Sequence, residues 1–112
     1  MTDDVSATAR FEEALRRSVD ETFELRLFVV GATPASRRAI ANITAICTKY
    51  LAGRHTLEVI DIYQRPELAA EEDILGVPTL IRIRPEPVVR IVGDLSDERR
   101  VLAGLDLRAP DD

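Results

Sequence analysis

The stretch DILGVPTLIRIRP, residues 73–85, decides how the second half of the chain folds. Gly76 is a common helix terminator, and Pro78 cannot donate a backbone hydrogen bond, so a new element has to begin after it. Residues 79–83 are mostly apolar and end at the proline-rich turn of residues 84–87, a pattern that is typical of a strand. The stretch therefore predicts a helix end, a turn at Pro78 and a buried strand.

Upstream of this stretch, the sequence predicts a strand, a long helix and a second strand. In residues 23–30, apolar and charged side chains alternate at first, and the later residues are apolar on both faces, as in a central strand. Thr33 and Pro34 suit the N-cap and the first position of a helix that runs to about Leu51. Residues 57–62 form the next strand, and a strand-helix-strand unit of this length implies a parallel pair. The predicted buried stripe of the helix is Ile40, Ile43, Cys47 and Tyr50 or Leu51.

Around residues 73–85 the pattern continues with two helices and a hairpin. Residues 66–75 read as a short helix that Pro66 opens, and residues 88–92 read as a strand that pairs with residues 79–83. Ser96 suits the N-cap of a last helix with an apolar side of Val101, Leu102 and Leu105. The resulting order, β-α-β-α-β-β-α, is that of thioredoxin-like domains and predicts a mixed four-stranded sheet with helices on both faces.

The sequence offers little for redox or metal chemistry. The GVPTL segment, residues 76–80, resembles the cis-proline loop of thioredoxin-like domains, which faces a reactive cysteine pair between the first strand and the first helix. Here that place holds GATPAS, residues 31–36, so disulfide exchange is excluded. Cys47 lies mid-helix, where a buried and inert thiol is expected, and the sole histidine, His55, reads as a solvated turn residue.

Two alternatives stay open for this end of the fold. Thr33 or Ser36 could polarise the thiol of glutathione, which keeps a thioredoxin-fold enzyme as a remote alternative, although both hydroxyls also suit helix capping. The Val77-Pro78 loop could expose backbone groups for strand addition by another segment, or it could be no more than a tight strand start.

Charge and hydropathy exclude other classes of function. The net charge is −5, with six acids and three arginines in residues 1–21 and two acids in residues 111–112, so residues 22–108 are neutral overall. A basic face for nucleic acid is therefore not expected. No apolar run approaches the about 20 residues that span a bilayer. The acidic start, MTDDVSATARFEE, lacks the apolar core of a signal peptide, so we expect a cytoplasmic protein.

We predict three parts in the chain. Residues 1–21 form an N-terminal extension, either an amphipathic helix or disordered, residues 22–108 form the folded domain, and residues 109–112 form an acidic tail.

Three segments resemble the KaiB family of small circadian clock proteins: LRLFVVGATPASRRAI, LEVIDIYQRPELAAEEDILGVPTL and VVRIVGDLSDERRVLAGLDL. They occur in order, over about three quarters of the chain. The resemblance implies a non-enzymatic protein without a cofactor that binds KaiC, a hexameric ring ATPase, with KaiA or a histidine kinase as further partners. A KaiB-like paralogue that binds a signalling kinase or another stress-response partner is the alternative. Departures from the family pattern are Ala32 and Ala35, where asparagine is usual, and Glu86 within a triple-proline stretch.

The resemblance also implies two folds for one chain. The KaiC-binding form is a thioredoxin-like monomer, and the resting form is a tetramer folded β-α-β-β-α-α-β. Five residues are expected to carry the fold switch: Pro78, Pro85, Pro87, Gly104 and Asp106. Five others, on the second strand and second helix, are expected to bind the partner: Tyr63, Gln64, Glu67, Glu71 and Asp73.

Overall fold

The structure is a computed structural model that describes residues 22–74 and 76–107. Its elements within these ranges are β1 (Phe23–Val29), α1 (Pro34–Tyr50), β2 (His55–Asp61), α2 (Pro66–Glu71), β3 (Thr79–Arg84), β4 (Val89–Val92) and α3 (Glu98–Gly104). This order is the predicted one. The N-terminal extension and the acidic tail lie outside the described residues, so the division of the chain into three parts stays a prediction.

The four strands form one mixed sheet in the order β2-β1-β3-β4. β1 pairs with β2 in parallel, β1 pairs with β3 antiparallel, and β3 pairs with β4 as an antiparallel hairpin. Both the parallel strand-helix-strand unit and the hairpin are as the sequence predicts. β1 is central because its residues are apolar enough to be buried on both faces.

Alternate residues of β1 belong to two hydrophobic clusters, one on each face of the sheet. Leu25, Leu27 and Val29 pack with residues of α1 and α3 on one face. Phe28 points to the other face, where it meets Ile60 of β2, Ile81 of β3 and the half-buried side chains of α2. Helices therefore cover both faces, as predicted, but the α2 face has the smaller fully buried core among the described residues.

The predicted start of α1 is confirmed in atomic detail. The Thr33 side chain accepts a hydrogen bond from the Ser36 amide, and Pro34 occupies the first helical position. The buried stripe contains Ile43, Cys47 and Leu51 as predicted. It also takes in Ala39 and Ile46, whereas Ile40 and Tyr50 are only half-buried.

α2 is shorter than predicted, because it ends at Glu71 instead of reaching residue 75. Asp73 has a φ of 51°, its amide donates to Ala70 O at 3.2 Å, and the Ile74 amide donates to Ala69 O at 3.0 Å. These two bonds form a Schellman motif, in which a left-handed residue ends the helix. Glycine usually holds that position, so the sequence pattern pointed to Gly76 instead.

α3 has the same ending and a different cap from the one predicted. Asp97, not Ser96, is the N-cap, because its carboxylate accepts from the Arg100 amide at 3.2 Å. Ser96 instead donates its own amide to Asp94. At the other end, Asp106 has a φ of 60°, and the Leu107 amide donates to Leu102 O at 2.8 Å, which is again a Schellman motif.

The prediction for His55 is wrong. His55 is the first residue of β2, pairs with Phe23 of β1 and is half-buried. Its Nδ1 lies 2.8 Å from Leu51 O at the end of α1. The ring therefore contacts a carbonyl at the helix C-terminus and is not a solvated turn side chain.

The two edges of the sheet differ. β2 is seven residues long and β4 is four. Because the Gly93 amide donates to Pro78 O, the neighbouring pair Thr79–Val92 is a non-hydrogen-bonded pair, and the Val92 carbonyl points away from β3. The Arg100 guanidinium reaches this carbonyl at 3.3 Å, so α3 covers the end of the β4 edge.

Candidate protein-binding surface

The loop between β1 and α1 is a closed network of hydroxyls. Thr33 Oγ1 donates to Ser36 Oγ at 2.8 Å, and Ser36 Oγ also accepts from the Val30 amide at 3.1 Å. Ser36 is buried at 1% exposure. Both hydroxyls therefore hold the strand to the helix, at the place where thioredoxin-like enzymes carry their cysteines.

Cys47 lies elsewhere, buried in the core. It is 1% exposed in the core beneath α1, and burial raises the pKa of its thiol to about 11. Nucleophilic and redox chemistry need an accessible thiolate. The expectation of a buried thiol is confirmed, and its inertness stays a prediction.

The outer edge of β2 is the longer open edge of the sheet. Within residues 22–74 and 76–107, β2 pairs with β1 alone, and exposed residues alternate with half-buried ones over most of its length. Val59 is 43% exposed and adds apolar area to this edge. An edge of this kind offers both unpaired backbone groups and apolar area to a partner.

A rigid loop carries Tyr63 beyond the end of β2. The Asp61 carboxylate accepts from the Tyr63 amide at 2.9 Å, and Asp61 O accepts from the amides of Gln64 at 3.0 Å and Arg65 at 2.9 Å. These bonds fix the loop, while the Tyr63 side chain remains 76% exposed. A tyrosine exposed on a hydrogen-bonded loop can contribute large contact area to an interface at little cost in conformational entropy, because it has few rotatable bonds.

The acidic residues in α2 and directly after it differ in their environments. Glu67 and Glu71 are exposed and lie one helical turn apart, so they share a face. Hydrogen bonds, first from its own backbone amide and then from Arg65, lower the pKa of Glu67 and keep it ionised. Asp73 is exposed, but its left-handed backbone ends the helix, so it has a structural role whatever else it does.

Glu72 is a residue that the sequence analysis missed. Its carboxylate lies 3.9 Å from Arg26 of β1 and 3.7 Å from Arg90 of β4, and its carbonyl accepts from the Arg90 guanidinium. Arg26 also pairs with Glu58 of β2 at 3.4 Å. This network ties the end of α2 across the sheet. Only the register of β1 and β4 places the two arginines there, so the sequence alone gives no signal for it.

The residues predicted to carry a fold switch lie in two regions, the loops on either side of β3 and the C-terminal end of α3. Pro78 is buried, and the peptide bonds before Pro78, Pro85 and Pro87 are cis. A Cβ atom on Gly104 would lie 2.7 Å from Ile91 Cδ1, so glycine lets α3 pack closely on β4. Asp106 ends α3, as described above. Their part in a fold switch stays a prediction.

No group of three or more metal-ligating side chains occurs in the described part of the chain. Over the same residues, no helix is long and apolar enough to cross a bilayer.

These features define a protein of the thioredoxin-like fold in which hydroxyls stand at the position of the redox thiols. The KaiB domain family matches residues 26–107, about three quarters of the chain. The chain belongs to the KaiB family.

Relatives agree with this assignment. The circadian clock oscillator protein KaiB of Acaryochloris marina is 47% identical over 90 residues, which cover 80% of this chain and 86% of the relative. That of Prochlorococcus marinus strain MIT 9211 is 51% identical over 87 residues, with coverages of 78% and 76%. This membership supports a role as a clock protein and not as an enzyme.

Solved structures show the same fold. The N-terminal domain of Synechococcus elongatus SasA aligns with a TM-score of 0.62 at 24% identity, over 77% of this chain and 85% of that one. The Drosophila melanogaster thioredoxin Deadhead aligns with a TM-score of 0.63 at 14% identity, over 88% and 91%. At these identities the likeness establishes the fold alone.

Proposed function

We propose that this protein is a non-enzymatic clock or timer adaptor that binds the ring of a KaiC-like hexameric ATPase and regulates its phosphorylation or output state. The observation that carries the proposal is a KaiB-family chain in the thioredoxin-like fold with an open, exposed β2–α2 surface. This surface consists of the outer edge of β2 together with Tyr63, Gln64, Glu67, Glu71 and Asp73. KaiA and a histidine kinase are further proposed partners, and the proposed location is the cytoplasm.

The chemistry of the β2–α2 surface indicates what it can recognise. Tyr63 supplies an aromatic anchor, and the edge of β2 supplies backbone donors and acceptors. Glu67 and Glu71 add negative charge on one helix face, which favours a partner with lysine or arginine at the matching positions. The ion pair from Arg65 to Glu67, at 3.0 Å, is exposed and can exchange partners at little cost.

A charge-reversal experiment tests the surface. Asp73 also ends α2, so the sharpest variant is Glu67→Lys with Glu71→Lys, which leaves the helix end intact. We expect binding to the host's own KaiC, measured with ATP and with ADP, to weaken at least tenfold because attraction becomes repulsion. Asp111→Lys with Asp112→Lys changes the net charge by the same amount and serves as the control. Circular dichroism checks that both variants fold, and unchanged KaiC binding by the α2 variant would remove this surface.

We further propose that the chain has a second fold, the tetrameric β-α-β-β-α-α-β form, as its resting state. The support is that α2 has six residues, none of them fully buried, so rebuilding it sacrifices little core. Tetramer burial would then select the resting fold by mass action. Sedimentation and backbone NMR over a wide concentration range, with and without KaiC, test this. One monomeric species with a single set of chemical shifts throughout would contradict the second fold.

A pull-down distinguishes a KaiC-binding adaptor from a KaiB-like paralogue that binds a signalling kinase. A pull-down with the host's KaiC and with its candidate kinases, at equal concentration, assigns the partner. Capture of a kinase through the β2–α2 surface, without capture of KaiC, would replace the ATPase in this proposal.

A further inference from the structure

Arg82 is a charged residue in the core. It lies on β3, opposite Leu25 of β1 and Val89 of β4. Leu25 faces the cluster beneath α1 and α3, and the Arg82 side chain enters the same layer at 1% exposure. Over residues 22–74 and 76–107 it is the only fully buried charged side chain. A buried guanidinium is unfavourable unless its donors find acceptors, so its partners explain its position.

The partners of Arg82 come from two separate places in the chain. Nη1 donates to Leu105 O at 2.8 Å, and Nη2 donates to Pro87 O at 2.9 Å. Leu105 O lies at the end of α3, where helical carbonyls lack intrahelical donors. Pro87 O lies in the turn between β3 and β4. One guanidinium fork thus joins the end of a helix to the turn of a hairpin.

The charge of Arg82 is incompletely compensated. Its one ion pair in the described part of the chain is with Asp106, at 3.3 Å, whose side chain is 76% exposed. Its Nε atom has no hydrogen-bond partner among the described residues. Because so few groups offset the charge, the loss of either carbonyl would leave a buried cation more poorly solvated.

We propose that Arg82 is a positioning residue that makes the β3–β4 turn and the C-terminal end of α3 form and open together. If the C-terminal end of α3 unfolds or separates from the sheet, the guanidinium loses both Leu105 O and Asp106. The remaining bond to Pro87 O is then not enough to keep the charged group in the core. If the turn opens, the same argument applies in reverse. The proposal is independent of the proposed function, because every readout below is made on the free protein.

Amide hydrogen exchange measured by NMR tests the coupling. Asp106→Asn removes the charge partner and keeps a residue type that tolerates a left-handed backbone. We expect exchange to become at least threefold faster at the end of α3 and also in β4, across the fork of Arg82. Glu98→Gln, at the exposed start of α3, is the control perturbation, and it should leave β4 unchanged.

The same perturbation is then repeated in two Arg82 backgrounds. Arg82→Met removes the donors at similar length, and Arg82→Lys keeps the charge but lacks the planar fork that spans both carbonyls. In each background, Asp106→Asn should affect α3 without changing exchange in β4. An equal β4 response with and without Arg82 would overturn the proposal. So would a missing β4 response in the Asp106→Asn protein itself, an arm that does not require either Arg82 variant to fold.

Discussion

At the scale of single residues, two aspartates end helices where glycine is the usual choice. Asp73 and Asp106 adopt φ angles of 51° and 60°, and each completes a Schellman motif. Aspartate tolerates the left-handed region better than most residues, but it still lacks the freedom of glycine. Both positions therefore hold some backbone strain in this fold.

Replacement of Asp73 by glycine should relieve that strain. We expect Asp73→Gly to raise the free energy of unfolding by about 0.5 kcal/mol, measured by urea titration. Glu71→Gly is the matched control, since it removes an acid two residues earlier, at the last helical position of α2, and it should lower stability by less than the about 1 kcal/mol of a helix interior. A loss of stability in both variants would mean that the Asp73 carboxylate outweighs the backbone strain.

At the scale of elements, the order of strands and helices follows from the sequence, while several boundaries do not. Periodicity and turn residues suffice for β1, α1 and the hairpin, because those signals are local. The end of α2 and the start of β2 depend on contacts made in three dimensions, namely the Asp73 turn and the His55 contact to Leu51 O. Boundaries that depend on such contacts are therefore where sequence reasoning failed.

The cap of α3 gives a direct test of one such correction. Asp97→Ala removes the carboxylate that accepts from the Arg100 amide, and we expect a loss of about 1 kcal/mol in the free energy of unfolding. Ser96→Ala, one residue earlier, should change stability by less than about 0.5 kcal/mol, because its side chain is exposed and is not the cap. The reverse order of the two losses would restore the original assignment of Ser96.

At the scale of the whole molecule, Cys47 reports opening of the core. Burial raises the pKa of its thiol from 9.0 to about 11, so near pH 8 only on the order of 0.1% is thiolate even before burial blocks access. We expect a thiol reagent to label the native protein far more slowly than the unfolded chain. Denaturant should increase the rate in step with the population of the open state. Labelling of the native protein at the rate of the unfolded chain would contradict a closed core.

The same thiol predicts a loss of stability at alkaline pH. The pKa in the folded state lies above the value of the unfolded chain, so the contribution of Cys47 is complete below pH 9.0 and is lost as the pH rises through about 11. Cys47→Ala should lack this part of the alkaline loss when unfolding is followed by circular dichroism.

The candidate surface was predictable in part. Tyr63, Gln64, Glu67 and Glu71 are polar or aromatic residues next to a strand end, a pattern that sequence can reveal, and all four are exposed. Glu72, within the same acidic run, pairs with Arg26 and Arg90, which are distant in sequence. Arg82 likewise looks like an ordinary strand residue until α3 and the Pro87 turn are in place. Contacts of this kind depend on register and packing, which a single sequence does not reveal.

The unequal edges of the sheet limit how copies of this protein can add to one another. Arg100 covers the last outward carbonyl of the four-residue β4 edge, while no described residue pairs with the outer edge of the seven-residue β2. Strand addition at the longer β2 edge is therefore favoured over addition at β4. Two copies that meet through β2 use up the open edge of both, which gives a closed pair, whereas a filament would need a second growing end. Such a pairing through β2 favours a finite assembly over fibrous polymerisation.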